Sequence, residues 1–205
     1  MENDLQQGLN AMQIVASNEQ QDKLLSFIAL LDKWNKAYNL TAVRNKRDML
    51  RLHILDSLSL LPHLLDAKYI LDVGSGAGLP GIPLAILQPN RKFVLLDGNG
   101  KKTRFIKQAI IELNLQNVTV NHVRIEKYTP DQRFDCITTR AFATISETLE
   151  MVEHFLSKET RVLFMKSNTT EVELKEISTS YNKEIITLTV PGIDAPRTLA
   201  ILKKQ

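Results

Sequence analysis

From Tyr69 onward the sequence alternates short apolar runs with stretches of helical periodicity, and that alternation restricts the chain to a small set of folds. The apolar runs lie at residues 69–73, 93–96, 118–121, 134–138, 161–165, 185–190 and 199–202. Helical patterns fill most of the gaps, at 81–87, 101–113, 145–155 and 170–180. Strands and helices in this order build a largely parallel sheet with helices on both faces, because each parallel connection must cross over the sheet. The last two runs are separated only by a loop at 191–196, so a hairpin is the cheaper connection and the final strand is expected to be antiparallel. The expected fold is α/β and Rossmann-like, with a seven-stranded, mostly parallel sheet.

The first third reads differently. Leu24, Leu25, Phe27, Ile28, Leu31 and Trp34 recur at helical steps, as do Met49, Leu50, His53, Ile54 and Leu58. A further helix is expected before Ser17; Asn39 suits a helix stop and Pro62 another. This divides the chain into an N-terminal helical extension, 1–66, and an α/β domain, 67–205, forming one compact unit. A length of 205 residues with 43% hydrophobic and 24% charged positions is enough for such a core.

Lys and Arg outnumber Asp and Glu by 26 to 23, a balance too even to identify a partner. The lone Cys136 excludes an intrachain disulfide and a cysteine metal cage, and suits a reducing, cytoplasmic compartment. Residues 1–10 are polar and acidic, and no apolar run approaches the length of a membrane span, so neither secretion nor membrane insertion is expected. The triplets at Asn39, Asn117 and Asn168 that match a glycosylation pattern then carry no weight.

The segment Asp72-Val73-Gly74-Ser75-Gly76-Ala77-Gly78 follows a predicted strand and precedes a predicted helix, the setting of a nucleotide-binding turn. A triphosphate loop is disfavoured, since Gly81 is followed by Ile82-Pro83 instead of Lys-Ser or Lys-Thr. A dinucleotide turn wants glycine where Leu79 stands, which leaves a nicotinamide- or flavin-dependent oxidoreductase as the alternative. S-adenosylmethionine carries no phosphate and needs close backbone approach with an acid in the preceding strand, Asp72. Asp97, about twenty residues beyond the glycines, ends the second strand, where an acid accepts from ribose hydroxyls. Alone, Asp97-Gly98-Asn99-Gly100 is an ordinary turn; beside Asp72 and the glycines it favours ribose. The expected cofactor is S-adenosylmethionine, with S-adenosylhomocysteine as product, on a class I methyltransferase fold.

After the fourth strand stands Thr138-Thr139-Arg140-Ala141-Phe142-Ala143. Methylation of a pyrimidine carbon requires a thiolate, and Cys136 sits within a strand, pointing towards the core. The Asn or Asp, paired prolines and aromatic common in exocyclic-amine methylation are missing here. A ring nitrogen with a free lone pair, such as guanine N7, requires neither nucleophile nor base, only alignment.

These residues carry a resemblance. Trp34-Asn35-Lys36-Ala37-Tyr38-Asn39-Leu40-Thr41, His53-Ile54-Leu55-Asp56-Ser57, the stretch 72–83, Leu95-Leu96-Asp97 with Gly100-Lys101, and Arg140-Ala141-Phe142-Ala143 resemble the glucose-inhibited division protein B (RsmG) family. The likeness covers nearly the whole chain. It implies transfer of a methyl group from S-adenosylmethionine to N7 of one guanine in 16S rRNA, in the decoding-region loop of the small ribosomal subunit. It further implies that Gly74 and Leu79 line the donor, that Ile125 and Glu126 contact its adenosine part, and that Arg140 lies beside donor and substrate as a positioning residue, with no general base. Asp72, Gly76, Gly78 and Asp97 complete the expected cofactor set. The chain departs from the family where Leu52 precedes His53 and arginine is shifted to Arg51, where Thr198 follows Arg197, and where Ser167 follows Lys166.

Lys101, Lys102, Lys166 and Arg197 are the RNA-contact candidates. Other basic groups, at Arg44, Lys46, Arg47 and Arg51, at Arg104 and Lys107, and at Lys203-Lys204, read equally as solvated helix faces. His53 and Asp56, one helical turn apart, read as a helix-packing pair, and no metal site is expected. Trp34 and Tyr38 read as core. The expected partner is 16S rRNA or the small subunit, bound by a monomer; an inactive rRNA-binding protein of this fold is the remaining alternative.

Overall fold

A computed structural model describes residues 1–167 and 171–205. Helices α1 (Glu2–Ala11) and α2 (Asn18–Tyr38) come first. Ser17 starts α2 with a reciprocal capping box to Gln20, and Asn39 stops it in the left-handed conformation, φ 51°. Next come α3 (Lys46–Met49), a π-helical stretch (Leu50–Leu55) and α4 (Asp56–Leu58). The α/β part follows as β1 (Tyr69–Val73), α5 (Gly81–Leu87), β2 (Lys92–Asp97), α6 (Gly100–Glu112), β3 (Val118–His122), β4 (Cys136–Arg140), α7 (Ile145–Val152), β5 (Arg161–Lys166), α8 (Glu171–Lys175), β6 (Tyr181–Thr187) and β7 (Thr198–Lys204).

The strands form one sheet of order β3-β2-β1-β4-β5-β7-β6. The first five run parallel, and β7 is antiparallel to both β5 and β6, as the short 191–196 connection required. Successive strand residues point to opposite faces, and the apolar side chains divide accordingly. Ile70, Phe93, Leu95, Leu163, Met165 and Leu199 share one core with Leu9, Phe27 and Leu31 of the N-terminal helices and with Ile82, Phe105 and Ile106 of α5 and α6. Leu71, Val73, Val94, Leu96, Val162 and Phe164 face a second core closed by Ile145, Leu149 and Val152 of α7. The N-terminal helices thus bury their apolar stripe on the sheet side of the molecule; Phe27 and Phe105 meet with ring centroids 5.9 Å apart. Trp34 joins the same packing, whereas Tyr38, its neighbour at 5.1 Å, remains half-exposed.

Four local expectations need correction. Residues 49–58 are not one α-helix, because the π-helical stretch widens the middle of the segment. The sixth strand is Tyr181–Thr187, not 185–190: Asn182, Lys183 and Glu184 alternate along a solvated edge strand and so hide it from a search for apolar runs. The fourth strand is Cys136–Arg140, with Phe134 before it stacked on Tyr69 at 4.6 Å. The helix expected at 170–180 is Glu171–Lys175; Thr170 and the triplet at Asn168 lie outside the described residues.

Strand order reverses direction of winding between β1 and β4, so the carboxyl ends of these neighbours open the crevice in which such sheets bind ligands.

Candidate active site

The turn after β1 is built from its own glycines and two carboxylates. Gly74, Gly76 and Gly78 all take left-handed φ angles, 66°, 58° and 77°. At Gly74 a side chain is also excluded sterically, because a Cβ there would run into the ring of Phe142. Asp72 lies beneath the turn, fully buried, and its Oδ2 accepts from the Gly81 amide at 3.0 Å at the start of α5. Gly81 must lack a side chain for this approach, since a Cβ would come within 2.7 Å of that oxygen. Burial pushes the Asp72 carboxyl up to about 7, against the opposing pull of the Gly81 amide, Ser75, Arg140 and Thr138. Asp97 holds the turn from the side: its Oδ2 accepts from the Gly76 amide at 2.8 Å, and its Oδ1 from the Asn99 amide at 2.7 Å. Asn99 in turn caps α6 by accepting from the Lys101 amide.

Beyond this turn lies a cleft of about 380 Å³ lined by Gly74, Asp97, Lys102, Ile125, Glu126 and Phe142, among others. Ile125 is buried and Glu126 exposed on a short 3₁₀ turn after β3. Lys102 Nζ stands 4.0 Å from Asp97 Oδ2. The donor set fits S-adenosylmethionine: a carboxylate for a sugar diol, an apolar wall for an adenine, backbone without side chain for close approach, and a cleft of small-ligand size.

A second cavity, about 350 Å³, lies on the other side of Ala141 and is lined by Leu52, Asp56, Arg140, Lys166, Arg197 and Thr198, with others. Ala141 lines both spaces and has φ 50°, a left-handed conformation rarely adopted by a residue with a Cβ. Here Asp56, 4% exposed, binds two arginines that lie 84 and 141 residues further along the chain. Arg140 Nη1 donates to Asp56 Oδ2 at 3.0 Å and to the Leu52 carbonyl at 2.9 Å, while Arg197 Nε donates to Asp56 Oδ1 at 3.1 Å. Lys166 Nζ donates to the Ala143 carbonyl at 2.9 Å and to Glu173 at 3.4 Å, fixing the end of the loop that follows β4.

His53 and Asp56 are not a bonded pair. The buried His53 ring meets Thr41 Oγ1 through Nε2 and the Leu52 carbonyl through Nδ1, both at 2.9 Å. Burial, with the charge of Arg140 adding to it, lowers its pKa to about 4. The ring is therefore neutral at pH 7; Nδ1–H donates to Leu52, which leaves Nε2 to accept from the Thr41 hydroxyl. Cys136 is buried and its thiol is pushed up to about 12, chiefly by burial, so no thiolate forms near neutrality. Among the described residues no cluster of three His, Cys, Asp or Glu is placed to hold a metal.

Of the residues singled out from sequence, Gly74, Asp97, Ile125 and Glu126 come together in the first cleft, joined by Lys102. Arg140, Lys166 and Arg197 meet in the second cavity. Asp72, Gly76, Gly78 and Leu79 stand behind the wall: Asp72 and Gly76 brace it, Gly78 abuts Ile82, and Leu79 is buried in the core. Lys101 is exposed at the start of α6 and does not line the cleft. The sequence reading missed the part played by Asp56, whose partners lie 84 and 141 residues away, and by Phe142. An acid on an apolar helix face was the only available signal for the first, and an aromatic directly beyond a strand's carboxyl end for the second. Arg51 points elsewhere, with its Cδ 2.6 Å from where a Cβ on Gly192 would lie, and Leu52 lines the cavity in its stead.

Comparison with known proteins adds family information to this geometry. The family described as rRNA small subunit methyltransferase G matches residues 20–200. The ribosomal RNA small subunit methyltransferase G of Marinobacter nauticus is 47% identical over 201 residues, covering 98% of this chain and 94% of the relative. Among solved structures, an O-methyltransferase from Klebsiella pneumoniae, described as putative, superposes with a TM-score of 0.61 at 14% identity, covering 96% of this chain and 94% of its own. The plantazolicin methyltransferase in complex with SAH gives a TM-score of 0.58 at 14% identity, covering 92% of this chain and all of its own, 100%. These structural likenesses show a methyltransferase-type Rossmann-like fold, which agrees with the expectation from strand order.

Proposed function

The chain belongs to the rRNA small subunit methyltransferase G family, and on that premise we propose that it transfers a methyl group from S-adenosylmethionine to N7 of one guanine in 16S rRNA of the small ribosomal subunit. The observation that carries the reading is the pair of cavities that share Ala141 in their linings, one presenting Asp97 and Ile125 beside a bare glycine backbone and the other presenting arginines. Asp97 would hold the ribose hydroxyls, Ile125 and Glu126 the adenine end, and Gly74 the approach to the donor's chain. Bound there, S-adenosylmethionine would supply an electrophilic methyl, which the N7 lone pair would take with a new N–C bond as the S–C bond broke, leaving the bonding pair on sulfur and the positive charge on the guanine ring with no proton moved.

That balance explains the chemistry of the site. No residue must act as base: Asp56 is committed to two arginines, and both ring nitrogens of the buried His53 are already bonded, to Thr41 and to the Leu52 carbonyl. The protein's contribution is alignment, worth up to about 7–11 kcal/mol for well-oriented partners. Arg140 and Arg197, oriented by Asp56, would receive phosphate or the guanine edge, with Lys166 holding the loop between. Lys102 in the cleft wall and the exposed Lys101 beside it in the chain would add contacts to the RNA backbone. Residues 1–66 act as an extension that completes the acceptor cavity through Leu52 and Asp56. The reading needs neither metal nor second subunit, and it places the protein in the cytoplasm with its substrate; no described helix is long and apolar enough to cross a membrane.

Calorimetry with S-adenosylmethionine, S-adenosylhomocysteine and NAD tests the donor. Micromolar binding of the first two, lost about tenfold or more in Asp97→Ala, is expected; tight NAD binding alone would support the oxidoreductase alternative. Tritiated donor with small subunits and naked 16S rRNA from cells lacking the gene tests the acceptor. Label is expected at one guanine, located by the borohydride–aniline strand scission specific to 7-methylguanosine. No label in either substrate would favour an RNA-binding protein without activity.

A further inference from the structure

Phe142 is the one aromatic side chain lining either cavity among the described residues; it stands in the first cleft, and none of the donor contacts set out above uses its ring. Its ring lies directly on the backbone of Gly74 with the remainder 40% exposed, an unusual exposure for phenylalanine in a folded core domain. The other exposed aromatic, Tyr38, packs on Trp34 and lines neither space. The loop that carries Phe142 is held at both ends. Arg140 before it is bound to Asp56 and Leu52, and Ala143 after it is bound through its carbonyl to Lys166. Thr144 then begins α7 with a capping box to Glu147. Between these anchors Ala141, which lines both cavities, adopts its left-handed φ of 50°, so the chain maintains a strained residue directly before the ring that it presents into the first cleft.

The chemistry of the proposed reaction supplies the reason. The N7 lone pair lies in the plane of the purine, so methyl transfer requires the base edge-on to the S–CH₃ axis, and an error in tilt misaligns the orbitals. Hydrogen bonds to a base edge fix its position along that edge but resist tilting weakly; a ring stacked on the base face fixes the plane. A base taken out of an RNA stack also needs a replacement for the stacking it has lost. We infer that Phe142 is the platform on which the acceptor guanine stacks, holding its plane so that N7 points along the line of the transferring methyl. This rests on the functional reading above.

The test uses Phe142→Leu, Phe142→Tyr and Phe142→Trp in the full chain, each first shown to unfold at the wild-type temperature. Phe142→Leu should bind S-adenosylhomocysteine within about twofold of wild type yet transfer methyl to unmodified small subunits about 10- to 100-fold more slowly, with Phe142→Tyr restoring most of the rate. A readout separate from turnover comes from F142W: guanosine monophosphate, added with S-adenosylhomocysteine present, should quench its indole emission, with uridine monophosphate quenching less and wild type, whose sole tryptophan is Trp34, unresponsive. Equal transfer by Phe142→Leu and wild type, no quenching of F142W by guanosine monophosphate, or loss of S-adenosylhomocysteine binding in step with transfer would each overturn the platform; the last would make Phe142 a wall of the donor cleft. Wild-type protein that binds no donor and labels no rRNA fails the functional reading instead, a result separable from any of these.

Discussion

Replacing Asp56 by Ala is the most demanding perturbation the structure offers short of the cofactor cleft. The carboxylate has 5% side-chain exposure and accepts one charge-assisted bond from each of two guanidiniums, at 3.0 and 3.1 Å. Removing it leaves two positive charges near one another, with side chains 19% and 20% exposed and, among the described residues, backbone carbonyls as their remaining partners. Breaking a buried ion pair from one side costs about 3–5 kcal/mol. Because each arginine reaches water through about a fifth of its surface, the lower end, about 3 kcal/mol, applies. For a chain of this length that is a fall of about 6–12 °C in Tm. Urea denaturation of wild type, Asp56→Ala, Arg197→Met and the double variant forms a cycle. Since the cost arises from stranded arginine charge, removing Arg197 as well should recover at least about 1 kcal/mol of coupling energy. Additivity within about 0.5 kcal/mol, or a single-variant loss below about 1 kcal/mol, would show that Asp56 does not hold these arginines together.

Other consequences follow from the turn and the two buried titrating groups. Gly74→Ala forces a side chain into a left-handed backbone and against Phe142; a stability loss of about 1–2 kcal/mol with weakened S-adenosylhomocysteine binding is expected, measurable by thermal unfolding and calorimetry. Asp72 titrates at about 7 in the folded chain, raised by burial from its ordinary 3.8, so its stabilising contribution is full below about pH 4 and is lost as pH rises through 7. Asp72→Asn should therefore gain stability relative to wild type between pH 4 and 8; a difference independent of pH would refute the burial argument. His53, lowered to about 4, has the opposite slope and destabilises the fold as pH falls from 6.5, so the acid limb should persist in Asp72→Asn and disappear in a His53→Gln background. Cys136→Ala should transfer methyl at the wild-type rate in the tritium assay, since a buried thiol with a pKa near 12 forms no thiolate.

The two cavities differ in how much of each could be read from the chain. The donor side is local: β1, the glycine turn, α5 and β2 are consecutive, so spacing alone put Gly74 and Asp97 within reach of one ligand, and the Asp97–Gly76 bond at 2.8 Å closes a loop of only 21 residues. Periodicity likewise carried the seven strands, because apolar side chains must alternate between two cores. Where a strand is a solvated edge, as at Asn182 to Glu184, that pressure is absent and its position was misread.

The acceptor side is not local. Leu52 and Asp56 come from the helical extension, Arg140 from the end of β4, Lys166 from the end of β5 and Arg197 from the start of β7. Each sits in a segment with an ordinary local explanation, and no short-range rule says that Asp56 takes arginines 84 and 141 residues distant in preference to His53 one turn away. Burial, which separates the inward Asp72 from the cleft-facing Asp97, is likewise a property of the assembled layers. By itself the sequence determined the α/β order, the glycine turn and its ribose-binding acid, because those depend on side-chain period and short spacing. Only the tertiary structure decided which charges meet, which carboxylate is dry and which aromatic stands open in the donor cleft, because these depend on where strand order and helix packing bring remote segments together.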